Sequence, residues 1–193
     1  LTNEELTWKS SIVVIILWEF ASAVTPSVVG GTAVAVFILT YEGINFGKSL
    51  AYVMLTAILD NLFFVVAAPI VMLLTRGVIF PAVETFDLQI GGSLQFFFFL
   101  SYGLIAIYTL VMSYGLFVKP RAFKWFLLKV TALKFLRKWR VKANQYGDEI
   151  MIASSEIKGK VAQYWIKISL ATIFIWCARY LMLNSLVSAY TEI

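Results

Sequence analysis

Leu94–Val118 runs for about 25 residues without a charged side chain, and this stretch limits the fold more than any other feature. At 1.5 Å per residue a helix of that length reaches roughly 37 Å, enough to cross a hydrocarbon core about 30 Å thick. In hydrocarbon every backbone amide and carbonyl must find its partner within the protein, which leaves helices and closed barrels as spanning structures. A barrel would show short alternating segments rather than long apolar runs. Leu50–Leu74 and Tyr164–Tyr190 are of similar length and apolar apart from Asp60 in the first and Lys167 and Arg179 in the second. The expected fold is therefore all-α, a polytopic transmembrane helical bundle with residues 1–193 in one membrane domain. The composition agrees: 61% hydrophobic and 14% charged, where a soluble domain is near half and a quarter.

Trp18–Tyr41 is apolar too, but it is broken by Thr25-Pro26 and by Gly30-Gly31 and carries a carboxylate, Glu19. Ser11–Val24 and Val28–Tyr41 are each about 14 residues, roughly 21 Å as helices, too short to cross alone. They form either a re-entrant hairpin with its elbow at mid-membrane depth or one interrupted span. Irregular backbone at that depth must face protein or water, and paired short segments broken by Pro and Gly point to a transporter site built from half-helices.

Ionisable residues at membrane depth are costly and tend to face inward, pair and mark pathways. Glu19, Asp60 and Arg179 are placed there. Ser169, Thr172, Trp176 and Arg179 share one helical face, and Trp176 can stack against the guanidinium. The plain alternative is that Arg179 pairs with Asp60 or Glu19 and locks helices together. Glu19, Thr25, Pro26, Gly30, Gly31, Asp60, Trp176 and Arg179 form the candidate substrate-binding set. The run Phe96–Phe99 reads as lipid-facing or packing surface.

Lys119–Lys160 holds eleven Lys and Arg, with no acid before Asp148. The cations interleave with Phe123, Trp125, Phe126 and Trp139, the pattern of a basic amphipathic segment at a membrane surface. Directly after a span, anionic headgroups are a better match than nucleic acid. Lys124, Arg137, Lys138 and Arg140 are the candidate headgroup-contacting residues. Arg76–Ser93 carries only Arg76, so the positive-inside rule puts 119–160 in the cytoplasm of a multi-pass protein of the inner or plasma membrane.

The sequence has no histidine and one cysteine, Cys177. Histidine triads, histidine-ligated zinc and an internal disulfide are excluded, and no catalytic, metal or cofactor residues are assigned. Asp148 and Glu149, the one acidic pair near the cytoplasmic surface, read as a solvated helix start. Glu42–Ser49 has Gly43 and Gly47-Lys48-Ser49 but one residue too few between the glycines for a phosphate-binding loop. It reads as a turn between helices. The chain starts at Leu1 and stops just after a span, which reads as an internal portion of a longer protein.

EFASAVTPSVVGG (Glu19–Gly31), EGINFGKSLA (Glu42–Ala51), Asp60 and WCARYLMLN (Trp176–Asn184) together resemble the lysylphosphatidylglycerol synthase transmembrane-region family, in its middle portion. The resemblance implies a polytopic helical protein that moves lipids between leaflets, with Glu19, Pro26, Gly30, Gly31, Glu42, Gly43, Gly47, Asp60 and Arg179 as motif residues. A second Pro-Gly-rich loop and the soluble synthase domain of such proteins are not in this sequence, so lipid aminoacylation is not expected. The resulting expectation is a non-enzymatic, flippase-like or scramblase-like protein binding or moving anionic or aminoacylated lipids. The alternative is a membrane scaffold or anchor subunit with a membrane-protein partner or a second copy of itself.

Overall fold

The computed structural model describes residues 6–25, 28–75, 88–132 and 137–191. Among them every regular element is helical. These are α1 (Trp8–Val24), α2 (Val28–Tyr41), α3 (Phe46–Leu74), α4 (Leu88–Ser113), α5 (Pro120–Val130), α6 (Arg140–Lys158) and α7 (Ala162–Thr191), with a π-helical turn at Tyr114–Val118 and a 3₁₀ turn at Arg137–Trp139. Phe46–Leu74, Gln95–Val118 and Ala162–Thr191 are long and apolar enough to cross a membrane. Between 6% and 11% of their apolar windows is buried, so the greater part of each surface is suited to lipid. The fold is the helical membrane bundle that apolar run length dictates.

The chain divides into two compact units, one of residues 1–57 and 111–160, the other of 58–110 and 161–193. In the first, Thr7 starts α1 by accepting a 3.2 Å bond from the Ser10 amide. The helix stops at Thr25, whose amide and hydroxyl both donate to the Ala21 carbonyl, at 3.0 and 2.6 Å. α1 and α2 pack against each other. A Cβ on Gly31 would overlap Ser22 Oγ and lie 3.1 Å from Ser22 Cα. Along one continuous helix those residues would be roughly 13 Å apart, so the chain folds back between them. Pro26 lies outside the described residues; Gly30 is in the first turns of α2.

The basic segment is more than a surface strip. α5 and α6 pack together, and α6 buries Ala143, Gly147, Ile150, Ala153, Ser154 and Ile157. Gly147 allows this contact, because a Cβ there would lie 3.0 Å from Lys124 Cβ. The π-helical turn before α5 buries Leu116, and Ser154 Oγ donates to the Leu116 carbonyl. Such a turn disturbs the ordinary helical ladder, and a buried hydroxyl supplies a donor there.

In the second unit α3 continues through Pro69. Proline has no N–H, so the Val65 carbonyl four residues earlier loses its helical partner. The Tyr102 hydroxyl on α4 donates to that carbonyl at 2.9 Å. Tyr102→Phe is expected to destabilise the protein by about 1 kcal/mol, the net worth of one such bond. In a Pro69→Ala background, where residue 69 again offers an amide, the same change should cost much less. Unfolding midpoints in mixed micelles for the four proteins of this cycle provide the check.

Candidate functional site

α3 and α7 place polar groups on otherwise apolar helices within the second unit. Asp60 lies mid-way along α3 and is half-buried. Its Oδ1 accepts a 2.9 Å bond from Trp176 Nε1 on α7. A carboxylate in such surroundings needs donors, because removing it from water without them costs several kcal/mol. Aromatic rings hold the indole: Phe63 stacks against it at 6.0 Å and 11°, and Phe64 meets it edge-on at 4.5 Å and 70°. One turn after Trp176, the Arg179 guanidinium sits 5.0 Å from the centre of the same ring. One side chain thus connects an acid through its N–H and a base through its π face, an arrangement favoured by the ring's charge distribution.

An apolar groove of about 320 Å³ adjoins this cluster. Leu62, Phe63, Val66 and Ile70 of α3 line it together with Thr172 and Ile173 of α7. Phe63 belongs to both features. The Thr172 hydroxyl is turned back to the Ile168 carbonyl at 3.0 Å, which leaves the groove wall less polar than the sequence suggests. Chemically the arrangement offers an acid and a base joined through one indole, with hydrocarbon surface beside them.

The structure therefore brings Asp60, Trp176 and Arg179 together. Glu19, Thr25, Gly30 and Gly31 belong to the α1–α2 hairpin of the first unit, where Glu19 is exposed and Gly31 is buried. Of the four expected headgroup residues, Arg137, Lys138 and Arg140 are exposed. Lys124 departs from that expectation: its stem packs on Gly147 and its ammonium pairs with Asp148 at 2.6 Å.

Sequence reasoning missed Glu149. Instead of heading a solvated helix, its Oε2 accepts a 2.7 Å bond from the Gly47 amide at the start of α3, while Gln145 holds Oε1 at 3.0 Å. Lys48 pairs with Glu156 at 3.0 Å, and Phe46 meets Tyr146 at 4.3 Å. An amide and a lysine that a phosphate-binding loop would turn on its ligand are engaged here by carboxylates of this chain. Gly43, at φ 97°, turns the backbone between α2 and α3, a conformation glycine adopts without strain. The spacing of Gly43 and Gly47 was the available signal, but nothing in it named the partner helix.

A family model described as Lysylphosphatidylglycerol synthase TM region matches residues 2–190. No curated protein and no solved structure matches the chain.

Proposed function

The chain belongs to the lysylphosphatidylglycerol synthase TM region family, and on that premise we propose that it is a flippase-like or scramblase-like protein whose Asp60–Trp176–Arg179 cluster engages a lipid headgroup in transit. Family membership makes it an integral membrane protein concerned with lipids. The single observation that carries the finer reading is the shared indole, with the carboxylate on its N–H and the guanidinium over its face. Arg179 meets the headgroup phosphate and Asp60 meets an ammonium, such as that of an aminoacylated lipid. The acyl chain follows the groove along Phe63 and Val66. The α1–α2 hairpin enters and leaves the membrane by one face. The protein works in the inner or plasma membrane with 119–160 on the cytoplasmic side.

Proteoliposomes carrying a headgroup-labelled phospholipid test this reading. Arg179→Ala and Asp60→Asn should each slow translocation about tenfold, the equivalent of one charge-assisted contact of roughly 1.5 kcal/mol. Unchanged rates in both variants, with unfolding behaviour intact, would remove the mechanism. A second reading, a static lock in a scaffold subunit, is favoured by the Asp60–Trp176 bond, which already satisfies part of the carboxylate. That reading expects both variants to lose stability while no lipid movement depends on them.

A further inference from the structure

The acids of the α5–α6 hairpin are used internally. Asp148 pairs with Lys124, Glu149 caps α3 at Gly47, and Glu156 pairs with Lys48. The remaining cations of the hairpin are sorted outward as a result. Arg121, Lys129, Arg137, Lys138, Arg140 and Lys142 are exposed, and among the described residues no carboxylate forms an ion pair with any of them. Large apolar side chains are exposed on the same elements: Trp125 at 61%, Phe126 at 56% and Trp139 at 49%. Two of the cations are drawn to these rings, Lys129 Nζ lying 4.6 Å from the Trp125 ring centre and Lys142 Nζ 5.6 Å from that of Trp139.

We propose that α5, the Arg137–Trp139 turn and the first turn of α6 form a docking surface for an anionic lipid leaflet. Trp125, Phe126 and Trp139 enter the headgroup layer, while Arg137, Lys138 and Arg140 hold phosphates. Three features select a membrane over a soluble acidic partner. Indole rings with adjoining ammonium groups suit the boundary between hydrocarbon and water. The surface begins directly after Gln95–Val118, a candidate span, so the chain tethers it near a bilayer. The charge is of one sign, which attracts anionic headgroups. The surface is independent of the lipid-passage reading, since it uses neither Asp60, Trp176 nor Arg179.

The test uses the full chain with Cys177→Ser and Phe126→Cys, labelled with an environment-sensitive fluorophore. It is placed in nanodiscs of phosphatidylcholine with and without phosphatidylglycerol. The expected result is a blue shift and protection from aqueous iodide that require phosphatidylglycerol. Arg137→Gln, Lys138→Gln and Arg140→Gln should each lower the docked fraction, by about fivefold in the docked-to-undocked ratio per charge. A label at Val141→Cys should shift in the same sense. Equal iodide access in both lipid compositions, or protection that appears only when RNA is added, would overturn the proposal. So would protection unaffected by removing all three charges.

Discussion

Gly47→Ala is expected to unseat α6 from the start of α3 and to destabilise the protein by about 3 kcal/mol. A Cβ at residue 47 would overlap Glu149 Cβ and lie 2.7 Å from the Tyr146 carbonyl oxygen. The latter is backbone, so no flexible side chain can give way. Overpacking of that kind costs about 1–3 kcal/mol, and losing the Glu149 carboxylate from the Gly47 amide adds about 1.5–3 kcal/mol. The two overlap, because moving α6 relieves the first while breaking the second. Hydrogen exchange should report the change locally, with the first turns of α3 and the Tyr146–Glu149 turn losing protection together. If Gly47→Ala keeps wild-type protection there, the close packing of α6 on α3 is wrong. Glu149→Gln, which keeps an acceptor but loses the charge, should have a smaller effect of the same kind.

Trp176→Ala is expected to be of comparable size, about 3 kcal/mol, since large-to-small changes at aromatic core sites cost about 3–5 kcal/mol and this ring is half-exposed. The change removes Asp60's indole donor, the stacking partner of Phe63 and the surface beneath Arg179 at once. Trp176→Phe separates these parts. It keeps an aromatic face for Arg179 and removes the N–H, with an expected loss of about 2 kcal/mol for a bond to a charged acceptor. Combining Trp176→Phe with Asp60→Asn should cost less than the sum of the two single changes, because neighbours sharing one interaction do not add. Unfolding titrations of the four proteins in mixed micelles measure the coupling. Strict additivity would mean that the bond carries no weight.

The helical class was open to sequence reading because Leu94–Val118 and its counterparts are long and predominantly apolar, and bilayer thickness turns such runs into helices. The grouping of Trp176 with Arg179 could be read for the same reason, since residues three apart on a helix share a face. What could not be read is which helix supplies a partner. Asp148 and Glu149 look alike as neighbours in sequence, yet one pairs with Lys124 on α5 and the other caps α3. Their divergence follows from the helical rotation between adjacent residues and from two glycines, Gly147 and Gly47, that let backbones approach. Tyr102 was silent for a similar reason. Pro69 announces an orphaned carbonyl at Val65, but only the packing of α4 identifies the hydroxyl that satisfies it. Lys124 shows the limit of reading charge from composition: a lysine in a basic run can be the one that packs inward.

The central claim is that a lipid headgroup meets the Asp60–Trp176–Arg179 cluster, and the most direct test is to ask which residues touch one. A phospholipid with a photoreactive headgroup, incorporated in vesicles containing this chain, can be cross-linked and the adducts mapped by mass spectrometry. The account predicts adducts on α7 around Thr172–Tyr180 and on α3 around Asp60–Phe64, depleted when unlabelled aminoacylated phosphatidylglycerol is added. Adducts confined to the exposed cations of α5 and α6, with none near Trp176, would contradict it.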